Sequence, residues 1–99
     1  MYVPAKEIQR MFNEAGYEDR VKRGNLKMEL VADSHPSKPK AREPYCTRSQ
    51  MVRYRRLDGT PVAIVHRYLR QDGSIGGSGK PDPKKIYLAD RIVAVEQPD

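Results

Sequence analysis

Ninety-nine residues with one cysteine, no tryptophan and no apolar run of membrane-spanning length suit one small domain, residues 1–99, with a single moderate core. The lone Cys46 excludes an internal disulfide and fits a reducing cytoplasm; no signal-peptide core opens the chain, so a cytoplasmic protein with no membrane partner is expected. The formal charge of +6, with 32% charged and 37% hydrophobic residues, excludes a fully disordered chain and favours an anionic partner.

Met1 to Ala15 reads as a helix. Pro4 suits the first turn, Ile8, Met11, Phe12 and Ala15 fall on one stripe, and Gly16 stands where a left-handed C-terminal residue is wanted. Two readings compete for Tyr17 to Asp33. Alternation at Leu26, Met28 and Leu30 favours a strand, which Gly24-Asn25 would turn back on Tyr17–Lys22 with Val21 near Met28; the other reading is a second short helix over Glu18 to Arg23. Pro36, Pro39 and Pro44 with Lys38, Lys40 and Arg42 make residues 34–46 an exposed, basic connector.

Gln50–Leu57 and Val62–Leu69 are rich in β-branched and aromatic residues, and Asp58-Gly59 between them signals a hairpin. A two-residue turn there and a four-residue loop through Pro61 sort the side chains identically. One face receives Val52, Tyr54, Ala63, Val65 and Leu69, and is expected to be core. The other receives Met51, Arg53, Arg55, Leu57, Val62, Ile64, His66 and Tyr68, with Arg53 near His66. Gln71 to Pro83, with its glycines and prolines, reads as a loop. Ile86-Tyr87-Leu88 and Ile92–Val95 then flank a tight turn at Ala89-Asp90-Arg91, before a polar tail from Glu96.

Charge is unevenly placed along the chain. From Lys38 to Arg70, nine basic residues face only Glu43 and Asp58, a balance of +7, while the other 66 residues carry −1. The excess is mostly arginine, whose planar fork matches phosphate and carboxylate oxygens.

Motifs for catalysis are incomplete. Gly-Gly-Ser-Gly-Lys, ending at Lys80, resembles the end of a nucleotide-binding loop, but Ser74 stands at its first glycine position and Pro81 follows the lysine. A weaker role survives, in which main-chain N–H groups of the Gly-rich turn, helped by Lys80, form an anion nest. Asp82-Pro83-Lys84 fits the Asp-x-Lys half of a metal-dependent nuclease site, a tripeptide common by chance, and Asp58 or Asp72 would have to complete it. Cys46 with His35 and His66 has no zinc spacing, and Cys46 is expected to be a buried, inert thiol. His66 among Arg53, Arg55, Arg67, Tyr54 and Tyr68 offers a metal-independent ribonuclease centre, though nothing supplies a second proton carrier. Interleaved Arg and Tyr suit nucleic acid, with Arg on phosphate and Tyr stacked on an unpaired base; alternation leaves Tyr68 as the tyrosine on the Arg53–Arg55 face.

From His66 to Ile86 the segment HRYLRQDGSIGGSGKPDPKKI resembles a family of short, uncharacterised bacterial and phage proteins. They share a hairpin with a histidine, an Asp-Gly turn, a Gly-Ser-Gly-x-Pro-Asp-Pro-Lys loop and a final apolar strand. The resemblance implies a similar fold and no particular reaction.

The expected fold is α+β: an N-terminal helix on a small antiparallel sheet of three to five strands, with the Asp-Gly hairpin at its centre. The expected function is non-enzymatic binding of an anionic partner, with no cofactor, metal or catalytic residue assigned. Nucleic acid ranks first. An acidic protein surface is second, including the target-binding surface of a host defence complex blocked by a phage-type inhibitor. A ribonuclease centred on His66 is third. The candidate contact residues are Lys38, Lys40, Arg42, Arg48, Arg53, Arg55, Arg56, His66, Arg67, Tyr68, Arg70 and Lys80. The place to look for a site is where loop and hairpin meet, near His66 and Lys80.

Overall fold

The computed structural model describes residues 1–34, 42–77 and 79–96. In chain order the elements are β1 (Tyr2–Val3), α1 (Ala5–Ala15), α2 (Tyr17–Lys22), β2 (Leu26–Ser34), β3 (Arg48–Arg56), β4 (Pro61–Leu69), β5 (Asp82–Tyr87) and β6 (Ile92–Val95). The strands form one sheet in the order β1-β6-β5-β4-β3-β2. The class is α+β as expected. The finer picture is corrected in three ways: the sheet has six strands, it is mixed because β1 joins β6 in parallel, and β1 precedes the first helix.

Pro4 caps α1 rather than entering it, and its carbonyl accepts from Glu7 and Ile8 N–H at 3.0 and 3.2 Å. At φ 67° Gly16 ends α1, donating to Asn13 O, and its own carbonyl then accepts from Arg20 N–H as α2 begins. The strand reading of Tyr17–Lys22 is overturned. Gly24 is left-handed (φ 79°), and Asn25 N–H reaches Arg20 O at 2.9 Å while Gly24 N–H reaches Val21 O. That pattern closes a helix C-terminus, so Gly24-Asn25 stops α2 and does not turn a hairpin.

The β3–β4 register runs from Arg48↔Leu69 to Tyr54↔Ala63, then slips to Arg55↔Pro61. The slip follows from the turn. Arg56 N–H bonds Thr60 O at 2.7 Å, which leaves a three-residue loop with left-handed Gly59 at its end. An odd loop reverses the parity of the pairing, and a bulge at Val62 restores it. Val62, expected among the arginines, is therefore buried in the core. Leu69, expected in the core, is half-buried and bridges Ile75.

β5 begins earlier than expected, at Asp82. Pro83 opposes Val65 beside a second bulge, where a strand tolerates a residue without an N–H. Beyond it Leu88 N–H reaches Arg91 O at 2.8 Å, closing the expected turn into β6.

Both helices lie on one side of the sheet. Ile8, Phe12 and Tyr17 are buried there against Val52, Tyr54, Val65, Ile86 and Val93, whereas Ala15 is exposed. By register the opposite, helix-free face carries Met51, Arg53 and Arg55 of β3, Ile64, His66 and Tyr68 of β4, and Lys85 and Tyr87 of β5. Among the described residues no helix is long and apolar enough to cross a membrane.

Candidate nucleic-acid interface

The candidate arginines are distributed over both faces, and most have partners. Arg53 Nη1 lies 2.8 Å from Glu29 Oε1, and Arg55 Nη2 is 3.3 Å from the same oxygen. Arg48 pairs with Asp33 at 2.9 Å on the helix-bearing side, and Arg67 donates to the buried Gln50 at 2.9 Å. Arg70 pairs with Glu43. Arg42 and Arg56 are exposed, while Lys38, Lys40 and His35 lie outside the described residues. Glu29 and Asp33 belong to β2, outside the basic segment. The sequence-local excess of +7 is therefore divided in space. On the helix-free face a positive balance remains among the described residues: at the β2–β3 end Glu29 opposes Arg53, Arg55 and Lys27, which faces Arg55 across the ladder. Further along that face Lys85 opposes Ile64, and Lys84 bonds Asp82 at 2.8 Å.

His66 sits in the middle of this surface. Its Nε2 is 2.7 Å from Ser49 Oγ, its ring meets Tyr68 edge-on at 4.6 Å between centroids, and Asp82 opposes it on β5. Arg53, expected beside it, is one diagonal step away, because Met51 takes the directly opposite position. Burial, together with Lys84, holds the imidazole pKa below its usual 6.5 despite the opposing pull of Asp82. The unfolded chain consequently takes up the proton first as pH falls below about 6.5. Folded-state stability contributed by neutral His66 is present above that value and is lost on acidification toward the lower folded-state pKa. A His66→Gln variant should show a flatter dependence of urea midpoint on pH between 6.5 and 5 than the parent; parallel profiles would contradict this.

A cleft of about 190 Å³ is lined by His66, Tyr68, Gly76, Gly77, Lys80 and Asp82, with Gln9 of α1 and Arg67. His66 of the hairpin and Lys80 of the loop thus line one cleft. The loop itself is built from β4 outward. Gly73 is left-handed (φ 89°), Asp72 Oδ1 accepts from Ser74 N–H and Oγ, and Gly76 N–H returns to Tyr68 O at 2.7 Å.

Sequence reasoning missed what fills the loop. The Glu43 carboxylate, whose side chain is 4% exposed, accepts from Gly77 N–H at 2.8 Å and from Arg70 Nη2 at 3.1 and 3.2 Å. The connector is thereby pinned to the loop: the Glu43 side chain is buried, while Arg42, Pro44, Tyr45 and Cys46 are exposed. Cys46 is exposed, contrary to expectation. Asp58 and Asp72, considered as metal ligands, each accept hydrogen bonds within their own turns, which lower both carboxyl pKa values. Among the described residues no group of three His, Cys, Asp or Glu side chains is placed to hold a metal.

No family model, no curated protein and no solved structure matches this chain.

Proposed function

We propose that the protein binds single-stranded nucleic acid, without catalysis, along the helix-free face of its sheet. One observation carries the reading: adjacent strands bring aromatic rings and cations to the one face that neither helix covers, with Tyr68 and His66 on β4, Arg53 and Arg55 on β3, and Lys85 and Tyr87 on β5. Phosphates along a strand are met by Lys85 and the Arg53–Arg55 pair, and an unpaired base, which a duplex would hold in its own stack, packs on an aromatic ring. Fluorescence anisotropy with a labelled oligonucleotide tests this. Binding should weaken steeply as salt rises. Tyr68→Ala should cost about 1–3 kcal/mol of affinity, and Lys85→Ala should lower the salt slope by about 1. Undetectable binding at low salt to single- and double-stranded oligonucleotides would end the proposal.

A protein partner is the second reading, and such a partner includes a host complex blocked at its target-binding surface. It is favoured by β2, an edge strand whose residues after Leu26 are all exposed, including Met28, Leu30 and Val31. Capture of the same partner from nuclease-treated lysate, lost in a Leu30→Lys variant, would support it over the first.

A further inference from the structure

The Gly-rich loop already holds an anion, and the anion is the chain's own. Arg70 turns its guanidinium on Glu43, with Nε 3.3 Å from Oε2 and Nη2 within 3.2 Å of both carboxylate oxygens. Gly77, left-handed at φ 61°, adds its N–H at 2.8 Å. Gly76 supplies the space: a Cβ there would stand 1.8 Å from Glu43 Oε1. A planar cationic fork, a main-chain N–H and a missing side chain are the parts of an oxyanion site. None of them distinguishes a tethered carboxylate from a free one, or from a phosphate.

Two further observations bear on how firmly the resident ligand is held. Arg42, next to Glu43, has φ 56°, a conformation that residues with a side chain rarely adopt, so the backbone beside the resident ligand is not in its preferred state. Gly76 and Gly77 also line the open cleft beside His66 and Tyr68, so a ligand in the cleft reaches the same two glycines.

We propose that Arg70 and the Gly76–Gly77 backbone form an oxyanion-binding site whose resident ligand is Glu43, and that it accepts a free carboxylate or phosphate when the Glu43 carboxylate is removed or displaced. Occupation by an outside anion frees the connector end that Glu43 now ties to the loop. The proposal stands independently of nucleic-acid binding by the sheet.

The test uses Glu43→Ala in the full chain, melted in sodium chloride and then at equal ionic strength in formate, acetate or phosphate. The variant should melt lower than the parent in chloride and regain several degrees, saturably, in formate or phosphate. The Gly77 amide resonance should shift along the same titration. Adding Arg70→Gln should remove both responses. The relative potency of formate and phosphate identifies which source of the oxyanion the site prefers. No gain over chloride, or an equal gain in the Glu43→Ala/Arg70→Gln double variant, overturns the proposal. Should Glu43→Ala not fold in chloride, refolding from urea decides: recovery in formate or phosphate alone supports the site, and recovery in none of these anions overturns it.

Discussion

Gly76→Ala is expected to cost the protein about 2–3 kcal/mol, far more than an ordinary surface glycine substitution. The backbone is not the reason, because Gly76 is not among the positive-φ glycines and alanine is conformationally acceptable there. The cost arises because a Cβ would stand 1.8 Å from Glu43 Oε1. The carboxylate is the movable party and must leave, giving up Gly77 N–H and Arg70 and vacating a position in which its side chain is 4% exposed. Arg70 is part-exposed, which keeps the estimate below that for a fully buried pair. A double-mutant cycle makes the mechanism checkable. In a Glu43→Ala background there is nothing left to displace, so Gly76→Ala should be close to neutral in urea unfolding. Additive costs would show that the glycine matters for some other reason.

Phe12→Ala should be the most damaging single truncation, at about 3–5 kcal/mol. That is comparable with the whole stability of a domain this small, and circular dichroism should report a largely unfolded chain. Phe12 is the sole phenylalanine and is 2% exposed. Its ring lies 5.6 Å from that of Tyr17 and 5.9 Å from that of Tyr54, so one side chain joins α1, α2 and β3. Phe12→Leu, which keeps most of the volume, should retain a cooperative transition. A folded Phe12→Ala protein with an unchanged urea midpoint would mean that the core is centred elsewhere.

Local signals in the chain were legible where the physics is local. Ile8 and Phe12 on the inner side of α1, the left-handed Gly16, the existence of the Asp58-Gly59 hairpin and the Leu88–Arg91 turn all depend on neighbours in sequence. Gly24-Asn25 was ambiguous for a physical reason: a left-handed glycine serves a hairpin turn and a helix C-terminus equally well. Val62 was misplaced because the odd loop and its compensating bulge leave no trace in the alternation. β1 has two residues, too few for any periodicity. The site was less legible than the fold. Glu29 and Asp33 reach Arg53, Arg55 and Arg48 only once β2 pairs with β3, so a basic segment in sequence is not a basic patch in space. Glu43 lies 27 residues before Arg70 and 34 before Gly77. Its presence in the Gly-rich loop could be inferred only in general terms, from the fitness of such loops for anions.

Backbone amide mapping by two-dimensional NMR, with a single-stranded oligonucleotide titrated into labelled protein at low salt, locates the face that binds. Binding along the sheet should shift amides on the helix-free face, at Arg53, Ile64, His66, Tyr68 and Lys85, and leave α1 and α2 little changed. Shifts confined to the helices or to the β2 edge, or none at saturating oligonucleotide, would contradict it.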